Sequence, residues 1–140
     1  MRRMIVAGIL AVLAACSSDS TGPNASVTGS YTLRTVIGNN VPAVVFQDAT
    51  TKDELTAGNL NLNADNTWSG SLTARETSLS TGAVVSITVP ASGTYTNNNG
   101  SLKLTDAVDD TQLVGTADNG MLTVSGDVGI GAVVTLVFQR

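Results

Sequence analysis

The clearest indication of the fold class comes from residues 67–77, which read Thr67-Trp68-Ser69-Gly70-Ser71-Leu72-Thr73-Ala74-Arg75-Glu76-Thr77 and carry the cleanest two-residue alternation in the chain. Apolar or small side chains take one of its faces, and hydroxyl-bearing or charged side chains take the other. Successive side chains of a β-strand point to opposite faces of the sheet. The stretch therefore predicts a strand that turns Trp68, Leu72 and Ala74 toward a core.

The same alternation of apolar and polar residues continues on both sides of this strand, from Thr28 to the end of the chain. About eight strands follow one another at spacings of about 8 to 12 residues, with no helical periodicity. Asn99-Gly100 and Asn119-Gly120 indicate tight hairpins, since Asn-Gly tolerates the positive φ angles that such turns need. The sequence predicts an all-β fold, an antiparallel up-and-down meander that closes into a barrel. A two-sheet β-sandwich is the alternative, and the absence of long crossovers favours the barrel.

Several segments carry more specific predictions. Pro42 removes a donor from any strand ladder, so residues 41–47 are predicted to form an edge or cap segment. Residues 48–54 are predicted to be a polar loop, and Pro90 is predicted to bend its strand. Three strands are predicted to collect apolar residues on one face, namely Tyr31, Leu33 and Ile37, then Val85, Ile87 and Val89, and finally Val134, Leu136 and Phe138.

The first 15 residues have the organisation of a secretory signal sequence. Two arginines precede an unbroken run of apolar or small residues that is too short to span a bilayer, which takes about 20 residues. The run ends in Leu13-Ala14-Ala15-Cys16, which resembles the lipobox of bacterial lipoproteins. The resemblance implies cleavage before Cys16, a diacylglyceryl group on its sulfur and acylation of its new amino group. Residues 1–15 are thus predicted to be a lipoprotein signal peptide.

Two further parts are predicted beyond the signal peptide. Residues 16–27 are a lipidated, flexible tether with almost nothing to bury, and residues 28–140 are the β domain. The lipoprotein resemblance implies a membrane anchor in the cell envelope. Ser17 stands where an Asp would imply retention in the inner membrane, so the resemblance implies the outer membrane, on its periplasmic or surface face. The sequence does not indicate an oligomeric state.

The amino-acid composition limits the kinds of catalytic and binding site that the chain can form. Without the signal peptide, five basic side chains stand against eleven acidic ones, and no basic stripe for nucleic acid is present. The chain has no histidine, and lipid takes up its only cysteine in this interpretation. Histidine bases, most zinc sites and Ser-His-Asp arrangements are thereby excluded. We predict a non-catalytic protein with no cofactor and no metal.

Acidic residues supply two candidate sites. Glu54 and Glu76 are a candidate carboxylate pair, but both flank predicted polar loops and are expected to be solvated. Asp106, Asp109 and Asp110 share one loop, and their carboxylates are of the type that binds calcium. Their spacing matches no EF-hand pattern, so a solvated acidic loop is favoured.

Four segments of the β domain carry a second resemblance. They are residues 29–33 (Gly-Ser-Tyr-Thr-Leu), 60–68 (Leu-Asn-Leu-Asn-Ala-Asp-Asn-Thr-Trp), 92–96 (Ser-Gly-Thr-Tyr-Thr) and 134–138 (Val-Thr-Leu-Val-Phe). They resemble the lipocalin-like domain of small bacterial lipoproteins. Lipocalins open with Gly-x-Trp and pack an arginine from near the last strand over that tryptophan. Here Tyr31 takes the third position, and Arg140 is the basic residue near the last strand.

Two hypotheses about function follow from the inward-facing aromatic residues, which are Tyr31, Trp68, Tyr95 and Phe138. In the first, as the lipocalin resemblance implies, they line a cavity for a small apolar or amphipathic ligand. In the second, they fill a small barrel, which is then a structural or protein-interaction module of the envelope. Residues 48–54 and 106–110 would meet the partner protein. A cavity beside Trp68 favours the first hypothesis, and a solid interior favours the second.

Overall fold

A computed structural model describes residues 26–140, so the predicted signal peptide, Cys16 and most of the predicted tether lie outside the described residues. This part of the chain contains ten β-strands and no helix. The strands are β1 (Gly29–Val36), β2 (Asn39–Asn40), β3 (Ala43–Gln47), β4 (Thr51–Leu62), β5 (Thr67–Ser78), β6 (Val84–Asn98), β7 (Ser101–Asp106), β8 (Gln112–Asp118), β9 (Met121–Asp127) and β10 (Val133–Gln139).

The strands form one antiparallel sheet that closes on itself. From β4 to β10 each strand pairs with the next along the chain, and β1 pairs with both β10 and β4. Eight strands thus close an up-and-down barrel, as predicted, and the sandwich alternative does not apply. The two additional strands lie in the β1–β4 connection, where β2 pairs with the end of β1 and β3 with the beginning of β4.

Two predicted hairpins are confirmed by their backbone angles. Asn99 and Gly100 have φ angles of 52° and 87°, and Asn119 and Gly120 have 49° and 77°. Two consecutive positive φ angles define the type I′ turn, whose twist matches that of the flanking strands. Both hairpins lie at the end of the barrel where β1 begins and β10 ends, which we call the aromatic end.

The barrel interior is built from aliphatic and aromatic side chains. Among the described residues, seventeen apolar side chains between Val27 and Phe138 are buried and form one cluster. The last strand supplies Val134, Leu136 and Phe138, as predicted. Because residues 26–140 close the barrel and form a buried apolar cluster, we expect this domain to fold without the segment that precedes it.

The structure corrects several local predictions. Ile37 was expected to face inward, but a β-bulge between Leu33 and Thr35 shifts the alternation. Val36 is therefore fully buried, and Ile37 is 53% exposed. Residues 48–54 are not all loop, because β4 begins at Thr51. Pro90 does not interrupt β6, which runs unbroken on both sides of it. The segment after Pro42 does form an edge strand, since among the described strands β3 pairs with β4 alone.

One pair of strands extends the sheet beyond its neighbour. β6 pairs with β5 from Val84 onward, but its pairing with β7 begins only at Gly93. We call residues 84–91 of β6 and the residues 70–77 of β5 that pair with them the wing. The wing lies at the end of the barrel opposite the aromatic end, because the β5–β6 loop and the end of β1 lie there.

Candidate functional site

The structure places the four aromatic residues of the predicted ligand site together in the core. Tyr31, Trp68, Tyr95 and Phe138 are between 2% and 6% exposed and belong to one buried cluster. They lie on β1, β5, β6 and β10, in the half of the barrel next to the aromatic end. The sequence pattern was therefore sufficient to find four residues that lie together.

The polar atoms of three of these residues donate to backbone carbonyls. The Tyr31 hydroxyl donates to Val27 O at 2.6 Å, and the Tyr95 hydroxyl donates to Asn63 O at 2.8 Å. Trp68 Nε1 donates to Thr105 O at 3.1 Å. Burial raises the pKa of both tyrosine hydroxyls above 10.0. The two tyrosine hydroxyls connect segments at the aromatic end, and Trp68 connects the beginning of β5 to the end of β7. All three donors thus have a structural use.

Inward-facing glycines show how closely the interior is packed. A methyl group at Gly58 would lie 2.7 Å from Leu72 Cδ2 and 3.1 Å from Leu33 Cβ. A methyl group at Gly126 would collide with the Leu113 side chain. The space in front of both glycines is thus already occupied by leucine side chains, at a density typical of protein cores.

A hollow of about 330 Å³ lies on the outside of the barrel and not in its interior. It is open to solvent, and none of the four aromatic residues borders it. The residues that line it come from the β8–β9 hairpin and are Thr116, Asp118, Asn119, Met121 and Thr123. A hollow that is open to solvent and formed by one hairpin differs from the enclosed pockets that bind small ligands.

Arg140 covers the aromatic end. Its Cζ lies 5.3 Å from the centre of the Tyr31 ring, and its Nη1 donates to Thr28 O at 3.0 Å. A guanidinium within about 6 Å of a ring centre is attracted by the electrons of the ring face. Tyr31 and Arg140 therefore take the positions that the lipocalin resemblance implies for its tryptophan and arginine.

Glu54 corrects a prediction, because it is buried and not solvated. Its Oε2 accepts from Arg75 Nη2 at 2.7 Å and from Nε at 3.1 Å, and Lys52 Nζ lies 3.4 Å away. The hydrogen bonds from Arg75 hold the pKa of the Glu54 carboxyl below its ordinary value of 4.5. Glu76 pairs with Asp53 and faces the other side of the sheet, so Glu54 and Glu76 form no carboxylate pair.

The predicted acidic loop uses its carboxylates to order its own backbone. Asp106 Oδ1 accepts from Val108 N at 2.7 Å, and Asp109 Oδ1 accepts from Thr111 N at 2.9 Å. The hydrogen bond from Thr111 lowers the pKa of Asp109. Among residues 26–140, no three His, Cys, Asp or Glu side chains are grouped as metal ligands.

The wing carries a surface that sequence reasoning missed. Val89 lies opposite Leu72 and Ile87 lies opposite Ala74, so the inner face of the barrel continues onto the wing. We call this surface, formed by Leu72, Ala74, Val85, Ile87 and Val89, the wing face. Val85, Ile87 and Val89 are 63%, 60% and 53% exposed, because β7 ends too early to cover them. A comparison of segment lengths would have revealed this, since the run that became β6 is far longer than the one that became β7.

Other exposed apolar side chains surround this end of the barrel. They follow β1 and β5, lie on β3, belong to the β7–β8 and β9–β10 connections or begin β10, and all of these places lie at the wing end. They are Ile37, Val44, Phe46, Leu79, Val108, Ile130 and Val133. Together with the wing face they make one end of the barrel much more apolar than the rest of its surface, which is a mark of an interaction site.

Comparisons with protein-family models, with curated proteins and with solved structures find no match to this chain. In the part of the chain that the structure describes, there is no helix of the length and hydropathy needed to cross a bilayer.

Proposed function

We propose that this protein is a non-catalytic, lipid-anchored protein of the bacterial cell envelope whose wing face binds a protein partner. The observation that carries the proposal is the contrast between the two parts of the inner face. Inside the barrel that face is occupied by the chain's own side chains, whereas on the wing Val85, Ile87 and Val89 are more than half exposed. Contiguous apolar surface that remains exposed on a soluble domain is typical of a protein interface.

The anchor in this proposal comes from the lipobox resemblance. A diacylglyceryl group and an acyl chain on Cys16 would hold the protein firmly, since each buried methylene contributes about 0.8 kcal/mol. Ser17 supports the outer membrane as the destination. The described chain enters the barrel at the aromatic end, because β1 begins there. An anchor attached to that end leaves the wing on the far side of the barrel, where it faces the solvent and a partner.

Charge suggests what kind of partner fits. Acidic side chains surround the wing end, since Asp48, Asp109 and Asp110 stand in its connections and Asp127 is the last residue of β9. Two basic side chains, Arg75 of the wing and Lys52 of the neighbouring β4, are both engaged by Glu54. A surface that is apolar at its centre and negative around it is complementary to a partner with an apolar centre and basic surroundings.

Ligand binding inside the barrel is the alternative proposal. Its support is the Arg140–Tyr31 pair, which matches the arrangement expected for a lipocalin-like barrel. In that proposal a small apolar or amphipathic ligand would contact Tyr31, Trp68, Tyr95 and Phe138. Core side chains would have to move to admit it, because the methyl-sized spaces beside the inward glycines are filled.

One set of variants separates the two proposals. Ile87→Lys places a charge on the wing face, and Thr88→Lys places the same charge on the opposite face of the same strand. We expect envelope proteins retained by the immobilised domain to be lost with Ile87→Lys and kept with Thr88→Lys. If the wild-type domain, Ile87→Lys and Thr88→Lys retained these envelope proteins equally, the wing face would not be the binding surface.

Trp68 reports on the alternative, because it is the only tryptophan of the chain. A long-chain fatty acid that enters the barrel should shift or quench its emission at stoichiometric amounts, whereas a wing-face interaction leaves it unchanged.

The anchor has its own test, since Cys16→Ser should release the full chain from the membrane fraction. Unchanged fractionation of Cys16→Ser would contradict the anchor without affecting the other proposals.

A further inference from the structure

We propose that two copies of this protein pair through the free edge of β6, antiparallel and in a register that places Ser86 opposite Ser86 of the second copy. The pairing joins the two wings into one continuous sheet. It concerns the edge of the wing and not the wing face, so it goes beyond the proposed function and rests on neither the anchor nor the partner.

The edge is free because, within residues 26–140, residues 84–91 of β6 pair with β5 on one side and with no strand on the other. The last backbone bond on its other side runs from Ala107 N to Ser92 O at 2.9 Å. Tyr95 N donates to Asn66 O on the β5 side at 2.8 Å, and amide directions alternate along a strand. The N–H groups of Ser86 and Thr88 therefore point outward, together with their carbonyl groups, and no strand of the described residues pairs with them.

This edge lacks the protection that exposed edges usually carry. Natural proteins place charges, often lysine, on such strands to prevent pairing with another chain. Here no Asp, Glu, Lys or Arg occurs in residues 77–102, which include all of β6. Pro90 is the single protective feature, since its position in the alternation turns its nitrogen, which carries no hydrogen, outward. The open ladder therefore runs over residues 84–89.

The residues of this short ladder are complementary to the same residues of an antiparallel second copy. With Ser86 opposite Ser86, Val85 comes opposite Ile87 of the second copy and Val84 comes opposite Thr88. The apolar pairs then share the wing face, and β-branched cross-strand pairs of this kind stabilise sheets. The outward amides and carbonyls of residues 84, 86 and 88 would form about six inter-chain hydrogen bonds.

A second copy fits this edge better than a charged strand of another protein would. The edge offers no charge for such a strand to pair with, whereas a two-fold axis presents each copy with a matching uncharged edge. The nearest ionised side chain on the wing face is Glu76, which lies one strand behind the edge. Three strand spacings of about 4.8 Å separate it from its equivalent in the second copy, which is well beyond the Debye length of about 8 Å.

Cysteine substitution tests the register directly. The domain of residues 17–140 contains no cysteine, because Cys16 is the only one in the chain. Ser86→Cys would place two thiols opposite each other with Cα atoms about 5.5 Å apart, within the range that a disulfide spans. We expect mild oxidation to convert this variant to a covalent dimer. Thr88→Cys is the control, because four residues of strand, about 13 Å, would separate its two copies.

Light scattering over a concentration series gives the second measurement. The wild-type domain is expected to approach twice its monomer mass. Ser86→Lys, which brings two like charges together at the axis, should return it to the monomer mass. Val114→Lys adds the same charge to an exposed position on β8 and should leave the dimer intact. A monomeric wild-type domain, a dimer that persists with Ser86→Lys, or equal oxidation of the Ser86→Cys and Thr88→Cys variants would each overturn the proposal.

Discussion

The guanidinium carbon of Arg140 lies 5.3 Å from the centre of the Tyr31 ring, so the side chain that follows the last barrel strand covers a side chain of the first. The same guanidinium donates to Thr28 O, just before β1. The closure between β1 and β10 is therefore secured by side chains as well as by strand pairing. This contact lies at the aromatic end, where the predicted tether joins the barrel.

Replacing Arg140 with alanine should weaken this closure. We expect Arg140→Ala to lower the free energy of unfolding by about 1–2 kcal/mol, since it removes a cation–π contact and a hydrogen bond. Arg140→Lys should recover only part of the loss, because an ammonium group cannot reproduce the planar fork. Urea denaturation of residues 17–140 measures both. Arg34→Ala is the control, because Arg34 is an exposed residue of β1, and an equal loss there would contradict the role of Arg140.

Acid should destabilise the domain through Glu54. Because the folded-state pKa of Glu54 lies below its ordinary value of 4.5, its contribution to stability is present above that value and is lost as the pH falls through the lower, folded value. Glu54→Gln should cost about 1 kcal/mol at neutral pH, a small figure because Arg75 and Lys52 are partly exposed.

The measurement for Glu54 is the urea midpoint of the wild type and of Glu54→Gln between neutral pH and about pH 3. The difference between the two proteins should shrink as the pH falls below 4.5. Glu76→Gln is the matched control, since Glu76 is exposed on the opposite side of the sheet. A difference that stays constant with pH would show that the ionised carboxylate is not the stabilising group.

The filled interior predicts a specific coupling between two positions. Gly58→Ala should lower stability by about 1–3 kcal/mol, because its methyl group needs space that Leu72 and Leu33 occupy. Leu72→Ala vacates that space, so the double variant should be more stable than the sum of the single losses implies. Equilibrium denaturation of the four proteins gives the interaction energy, and additive losses would mean that the space beside Gly58 is empty.

High pH should loosen the aromatic end. The pKa values of Tyr31 and Tyr95 are both raised above 10.0 by burial, so stability is fully present below that pH and declines as the pH rises through the folded values. The variant with Tyr31→Phe and Tyr95→Phe should lose about 1 kcal/mol per hydrogen bond at neutral pH. Its urea midpoint should then depend less on pH above 10.0 than that of the wild type. If the urea midpoint declined equally at alkaline pH in both proteins, the two tyrosine hydroxyls would not be the groups responsible.

The alternation of side chains and the Asn-Gly turns were enough to predict the closed barrel and most of its core. Local backbone irregularities were not predicted, because a single extra residue reverses the inward and outward sides. The bulge before Thr35 moved Ile37 from the core to the surface in this way. A bulge between Leu55 and Ala57 likewise lies beside the buried Glu54, whose position depends on Arg75 of the next strand. Pairing partners distant in sequence determine such details.

The ligand hypothesis and the wing illustrate a different limit of sequence reasoning. The pattern located Tyr31, Trp68, Tyr95 and Phe138 in the interior, but interior volume depends on how all the side chains pack together. The wing arises from a difference in length between β6 and β7, which alternation alone does not reveal. Each strand shows its own faces in the sequence, whereas coverage of those faces depends on its neighbours.

The double pairing of β1 has a consequence for how the chain folds. All other barrel strands pair with neighbours in sequence, through connections that close at little entropic cost, whereas β1 must find β10 at the far end of the chain. Folding rates fall as contacts become less local. The hairpins from β4 to β10 should therefore form early and β1 should join last, so that the arrival of a single strand converts an open ribbon into a barrel.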